Sequence, residues 1–207
     1  MHQTATVLLS IAAIWFAATL VPGPDFLVTT RVAVTNDRAV GIRTVLGVAC
    51  GTCVWGLAGF FGIHALFAAA PWLYLALKLG GGAYLLYLGA RLFVGSFHGR
   101  TARTPHLRPL SAGSAFRLGL ITNLANPKAA LFTASLFAAT LPPHPTIALG
   151  LGAAAIMTTI ALTWYGTLAC ALTTRPAASA FTRLRHWIDR LGGLAFMGFG
   201  ATLALER

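Results

Sequence analysis

Long apolar runs alternate with short polar segments along almost the whole chain, and this pattern predicts membrane-spanning helices. Each run approaches or exceeds the roughly 20 apolar residues that a helix needs to cross a bilayer. Pro, Gly or basic residues separate consecutive runs, which lie at residues 5-30, 41-69, 72-95, 116-141, 145-173 and 187-205. We therefore expect an all-α polytopic membrane protein with six transmembrane helices.

The composition agrees with a chain that is surrounded by lipid. Of its 207 residues, 57% are hydrophobic and 9% are charged, whereas about 25% of the residues of a soluble domain are charged. Six spans leave only short connections, so no separate soluble domain is expected. The first 19 residues contain no Lys or Arg, which argues against a cleaved signal peptide and for a first run that is retained.

The basic residues are concentrated in alternate connections between the runs. All but three of the 15 Lys and Arg residues lie in or at the borders of the connections after the first, third and fifth runs, and the connections after the second and fourth runs have none. Because cytoplasmic loops of inner-membrane proteins carry the excess of Lys and Arg, we expect the basic connections inside and both termini outside. Membrane orientation thus accounts for the net charge of +11, and no nucleic-acid partner is expected.

The two halves of the chain align with each other. Residues 20–29 align with 123–132 and bring two prolines into register, and residues 78–84 align with 190–196. Because each half has three runs, the second half must enter the membrane in the opposite direction, as in the inverted repeats of secondary transporters. The predicted organisation is a 3+3 inverted repeat, with a first three-helix repeat at 1-95, a basic cytoplasmic linker at 96-115 and a second three-helix repeat at 116-207.

Proline interrupts the first and fourth runs at matching positions. Pro22 and Pro24 flank Gly23 and each remove a backbone donor, so the first helix is expected to break there. The chain restarts with Asp25 at a helix N-terminus, where the helix dipole favours negative charge. Pro127 marks the corresponding break in the fourth run. Transporters place their substrate sites where such discontinuous helices meet.

Asp25 is the one acidic residue in the interior of an apolar run, because Asp37, Asp189 and Glu206 lie in or beside basic or terminal segments. A carboxylate there costs roughly 2.5–3.5 kcal/mol on insertion scales and by default indicates function, although a helix cap or a partner for Arg31 would also explain it. At the second break, freed amides and the Asn123 and Asn126 side chains can bind a substrate carboxylate. Lys128 can attract that carboxylate, pair with Asp25, or extend to the membrane interface. The candidate substrate and ion site comprises Pro22, Gly23, Pro24, Asp25, Asn123, Asn126, Pro127 and Lys128.

No further pattern indicates catalysis, a metal or a cofactor. The histidines show no metal-ligand spacing, and neither a HExxH pair nor a Gly-x-Ser-x-Gly elbow is present. Cys50 and Cys53 match CxxC without a βαβ context, so we interpret them as packing residues. Glycines in the second and third runs permit close helix contacts, either within the chain or between copies in a homo-oligomer, and both alternatives stay open.

Three of these segments resemble motifs of a known transporter family. Residues 22–27 (PGPDFL), 78–89 (KLGGGAYLLYLG) and 119–130 (GLITNLANPKAA) are similar to the lysine exporter/homoserine-threonine resistance family of bacterial amino acid exporters. The resemblance covers nearly the whole chain. Within the family, residues 47–55, 62–64, 133–137 and 187–189 are most similar to the threonine efflux branch. Other branches continue after the Asn-Pro-Lys motif with a Pro-Gln-Phe-like ending, which this chain lacks.

The resemblance implies a secondary transporter of the inner membrane that exports a neutral, hydroxylated amino acid, driven by the proton gradient. Its expected partners are the amino acid of the threonine or homoserine type, the proton and the lipid bilayer. An exporter of a basic or other amino acid, or of a related small metabolite, is an alternative. An intramembrane enzyme and a membrane assembly protein are alternatives of other classes. The missing catalytic motifs disfavour the enzyme, and the broken helices with an intramembrane carboxylate favour transport over the assembly protein.

Overall fold

A computed structural model describes residues 2–69, 110–142 and 144–172, and parts of residues 79–97 and 184–201. Most of these residues are helical, and no strand occurs among them. The all-α prediction is therefore confirmed for the described part of the chain.

Six helices have defined bounds. In chain order they are α1 at His2–Leu20, α2 at Pro24–Thr35, α3 at Arg38–Ala69, α4 at Ala112–Leu124, α5 at Pro127–Thr140 and α6 at Ile147–Leu172. The described residues within 79–95 and 184–201 are helical, and the rest of the predicted runs at 72-95 and 187-205 lies outside the described residues.

Two of these helices are long and apolar enough to cross a membrane, namely the Arg38–Gly62 part of α3 and the whole of α6. Thr4–Leu20 of α1 and α2 together qualify as a third span, which is bent by 56° at the break between them. The fourth predicted run is divided between α4 and α5. The described residues thus support a membrane protein, and the count of six spans stays a prediction.

Both predicted helix breaks are present. Residues 21–23 separate α1 from α2, and Ala125 and Asn126 separate α4 from α5. Pro24 and Pro127 stand at the start of the helices that follow. Proline fits this position because the first N–H groups of a helix have no intrahelical partner and its fixed φ already suits the helix.

Helix α4 begins at Ala112, before the start of the predicted run at 116. The Oγ of Ser111 accepts a hydrogen bond from the backbone N of Ser114 at 3.3 Å, which caps the helix. A capping hydroxyl therefore sets this helix start, and the helix extends into the end of the segment that we predicted as linker at 96-115.

Glycines bring α3 and α4 into backbone contact. A Cβ atom added at Gly47 would collide with the backbone O of Phe116, and one added at Gly51 would collide with the side chain of Asn123. Residue numbers increase together along this contact, so the two helices run parallel. These α3 glycines therefore pack within the chain, in line with close helix approach at small residues.

Helix α6 packs against α3 in the opposite direction. Gly56 lies against Ala154, and Phe60, one helical turn further along α3, lies against Gly150. Helix α6 also contacts α1 and α2. Two apolar clusters result, one around Trp15 and Met157 and the other around Phe26 and Ala161. The first helix break lies between these clusters, because Val21 belongs to one and Phe26 to the other.

Candidate substrate site at the two helix breaks

Asp25 links the two breaks. It stands in the first turn of α2 and is 7% exposed. Its Oδ2 accepts hydrogen bonds from Nδ2 of Asn123 at 3.0 Å and from Nδ2 of Asn126 at 2.9 Å. Its Oδ1 is buried and has no hydrogen-bond partner among the described residues. Two N–H donors on one oxygen suit an ionised carboxylate, which only accepts hydrogen bonds.

Asn126 uses both ends of its side-chain amide. Its Oδ1 accepts from the backbone N of Lys128 at 3.0 Å and thereby caps α5, while its Nδ2 donates to Asp25. The O and N atoms of an amide are distinguished by the hydrogen bonds around them, and these two contacts agree on one orientation. Asn126 therefore connects the start of α5 to the start of α2.

Helix α3 holds Asn123 in place. The Nδ2 atom of Asn123 lies 3.5 Å from Oγ1 of Thr52, and its backbone O accepts from Nε1 of Trp55 at 3.2 Å. A Cβ atom at Gly51 would come within 2.9 Å of the Cβ and Cγ atoms of Asn123. Three residues within about one turn of α3 thus fix the amide that donates to Asp25.

Lys128 reaches back to the end of α1. Its Nζ donates to the backbone O of Ala18 at 3.2 Å and to that of Val21 at 3.0 Å. These carbonyls belong to a helix C-terminus, where the dipole attracts a cation. Its ammonium also lies 5.3 Å from the ring centre of Phe196. The structure therefore places the ammonium at the first break.

The remaining predicted residues shape the backbone of the breaks. Gly23 precedes α2 with an extended backbone, φ −143° and ψ −170°. A Cβ atom there would lie 3.3 Å from Cδ of Lys128, so a larger residue would press on the lysine. Pro22, Pro24 and Pro127 offer no backbone donor. All eight residues of the predicted site thus lie in or beside the two breaks, which are in contact with each other.

A cavity of about 30 Å³ lies at this contact. One water molecule needs on the order of 10–15 Å³ of such volume, so the cavity has room for about two, and a larger ligand enters only if the helices separate. Its wall contains four of the predicted residues and also Trp15, Ala18, Thr19, Thr52, Ala129, Phe132 and Tyr165.

Sequence reasoning missed the aromatic and hydroxyl residues of this wall. Trp15, Phe132 and Tyr165 lie within apolar runs, where aromatic side chains face lipid as readily as they face a cavity. Thr19 and Thr52 carry polar groups in such runs, and these groups were the available signal. Within the described part of the chain, no group of three or more His, Cys, Asp or Glu side chains is arranged to hold a metal ion.

Comparison with known proteins gives three informative matches. The family described as LysE type translocator matches residues 16–207. The threonine efflux protein of Salmonella typhi is 32% identical over 200 residues, which cover 96% of this chain and 97% of that protein. The threonine efflux protein of Escherichia coli (strain K12) is 31% identical over 201 residues, with coverages of 96% and 98%. No solved structure matches.

Proposed function

The chain belongs to the LysE type translocator family, and we propose that it exports a neutral, hydroxylated amino acid of the threonine and homoserine type from the cytoplasm. The family predicted from the sequence motifs is thereby confirmed, and the chain is a membrane transporter, not an enzyme. Its similarity to threonine efflux proteins along almost the full length of both chains supports the substrate class.

The observation that carries this proposal is the contact of Asp25 with both asparagines across the two helix breaks. An amino acid zwitterion offers one ammonium and one carboxylate. The unpartnered Oδ1 of Asp25 is a suitable acceptor for the ammonium. The carboxylate then faces the second break, where Asn123, Asn126 and the ammonium of Lys128 supply donors and positive charge.

The charges of the cavity favour a neutral amino acid over a basic one. Asp25 is the one acidic side chain of the described cavity wall, and Lys128 brings a positive charge to the same wall. A second cationic group on the substrate would be buried there without an anion to pair with, which is costly. The alternative of a basic amino acid therefore requires an anion that the described wall does not provide.

The two unequal oxygens of Asp25 support the proposed proton coupling. A proton that enters from outside binds Oδ1, while Oδ2 keeps its two amide donors. Neutralising the carboxylate removes its attraction for the substrate ammonium, so the substrate leaves on the outer side. Loss of the proton to the cytoplasm restores the acceptor for the next substrate. One proton then moves inward for each amino acid exported.

The proposed architecture is a 3+3 inverted repeat of six spans, with repeats at 1-95 and 116-207 and the linker at 96-115. In this arrangement the second and fifth spans must cross in opposite directions, as must the third and sixth. The antiparallel contact of α3 with α6 supports the first relation. Close approach of Gly82 to Gly200 and of Gly89 to Gly193, in reversed order, supports the second.

Threonine uptake into inverted vesicles tests both the substrate and the coupling. With the wild type, we expect an imposed pH gradient to drive uptake and a protonophore to abolish it. Asp25→Asn keeps the shape but removes the titratable group, so its gradient-driven uptake should fall at least about tenfold, the effect of 1.4 kcal/mol on a barrier.

Asp37→Asn is a matched control. Oδ1 of Asp37 accepts from the backbone N of Val40 at 2.8 Å at the start of α3, and asparagine caps a helix about as well as aspartate. This variant should transport like the wild type. Full gradient dependence in Asp25→Asn would exclude Asp25 from coupling, and a wild type that moves no threonine or homoserine would overturn the proposed substrate.

A further inference from the structure

Tyr165 of α6 lines the same cavity as Asp25 and is 6% exposed. Among the described residues, no hydrogen bond is made by its hydroxyl. The other hydroxyls of the wall differ in this respect. Thr19 donates to the backbone O of Phe16 at 2.8 Å, and Thr52 lies 3.5 Å from the Nδ2 of Asn123.

A hydroxyl without a protein partner, on a residue that lines a cavity, is available to form a hydrogen bond with a ligand that enters the cavity. The rest of the wall around Trp15 and Phe132 is apolar, with ring centres 5.8 Å apart. Most binding pockets have this composition, in which mainly apolar walls carry a few polar groups that fix the ligand.

The groups at the helix breaks cannot select among neutral amino acids, because every neutral amino acid has the ammonium and carboxylate that they bind. Selection must come from the wall that meets the substrate side chain. Tyr165 offers that wall a hydroxyl that can both donate and accept. We infer that the hydroxyl of Tyr165 forms a hydrogen bond with the side-chain hydroxyl of the exported amino acid and so determines specificity. This inference rests on the proposed function.

Threonine and valine provide the test, because they differ chiefly in the replacement of a hydroxyl by a methyl group. Tyr165→Phe removes the phenolic oxygen and keeps the ring. Uptake of labelled threonine and of labelled valine into inverted vesicles gives the ratio of their kcat/KM values. The wild type should prefer threonine, and in Tyr165→Phe the ratio should fall about three- to tenfold, the usual effect of one neutral hydrogen bond.

Tyr87→Phe is the control, because Tyr87 is 60% exposed and takes no part in the described cavity wall. Its ratio should equal that of the wild type. Binding of threonine and valine to the purified proteins, measured by calorimetry, should show the same change in ratio and does not depend on coupling to the proton gradient.

Any other result would contradict either this inference or the proposed function. An unchanged ratio in Tyr165→Phe, or an equal loss for both amino acids, would overturn the inference and leave the proposed export intact, because Tyr165 would then serve Asp25 or the fold. Equal transport of the two amino acids by the wild type would overturn it without any variant. A wild type that transports neither amino acid would overturn the proposed function itself.

Discussion

At the scale of single residues, the site depends on side-chain amides that donate hydrogen bonds to the carboxylate of Asp25. A carboxylate within a membrane span needs hydrogen-bond donors to offset its loss of hydration. The sequence left open whether Asp25 acts as a cap or pairs with Arg31 on its own helix. The structure instead supplies two donors from the other half of the chain, Asn123 and Asn126. This contact joins residues about 100 positions apart, so no local pattern could have predicted it.

Asn126 combines a helix cap with a donor to Asp25, and two substitutions separate these roles. Asn126→Ser keeps an oxygen that caps α5 but loses the Nδ2 group that reaches Asp25, whereas Asn126→Ala loses both. Thermal unfolding in detergent should show Asn126→Ala less stable than Asn126→Ser by about 1 kcal/mol, the usual value of a cap. Threonine transport should fall about tenfold or more in both, because each loses a hydrogen bond to a charged group.

Equal stability of the two variants would show that Asn126 does not act as a cap. Wild-type transport in Asn126→Ser would show that its bond to Asp25 has no part in the site.

At the scale of helices, α3 is the support against which the second break is built. Its residues Gly51, Thr52 and Trp55 all contact Asn123, the last residue but one of α4. A membrane helix is apolar on its lipid side as well as on its protein side, so the sequence pattern does not tell which face packs. The breaks themselves were predictable, because proline restricts the backbone locally.

Gly51→Ala tests this support. The new methyl group would meet the Oδ1, Cβ and Cγ atoms of Asn123, so Asn123 must leave the position from which it donates to Asp25. We expect threonine transport to fall about tenfold, and stability to fall by about 1–3 kcal/mol from overpacking. Transport kinetics in vesicles and thermal unfolding of the purified protein provide the two measurements.

Two further glycines of α3 serve as controls. Gly62→Ala faces open space and should leave transport unchanged. Gly56→Ala would come within 3.1 Å of Cβ of Ala154, away from Asn123, so it should lower stability with little effect on transport. If Gly51→Ala lost no more transport than Gly56→Ala, the support of Asn123 by α3 would be refuted.

At the scale of the whole molecule, contacts gather the three basic connections at one end. Oδ1 of Asn36, after the first run, accepts from the backbone N of Leu110, after the third run, at 3.0 Å. Nε of Arg38 lies 3.1 Å from Sγ of Cys170, near the end of the fifth run. Nε of Arg190, near the start of the sixth run, lies 3.3 Å from Oγ of Ser96, which follows the third run.

These contacts bear on the predicted orientation in the membrane, which rested on the distribution of Lys and Arg alone. Positive charge in the connections indicates a cytoplasmic location, and the contacts now place residues of all three connections on one face. If that face is cytoplasmic, both termini lie outside. Orientation itself depends on the membrane and its insertion machinery, which is why neither the sequence pattern nor the fold determines it alone.

Reporter fusions test this orientation. Green fluorescent protein fused after residue 104, within the predicted linker, should fluoresce, and alkaline phosphatase fused there should be inactive. At the C-terminus the result should be reversed. Alkaline phosphatase folds only outside the cytoplasm, whereas green fluorescent protein that is exported in an unfolded form does not fluoresce outside. Fluorescence at both positions would show that residues 116-207 cross the membrane an even number of times. The two halves would then not be inverted relative to each other. Phosphatase activity after residue 104, together with fluorescence at the C-terminus, would agree with an inverted repeat in the opposite orientation. Protons and substrate would then reach Asp25 from the sides opposite to those proposed.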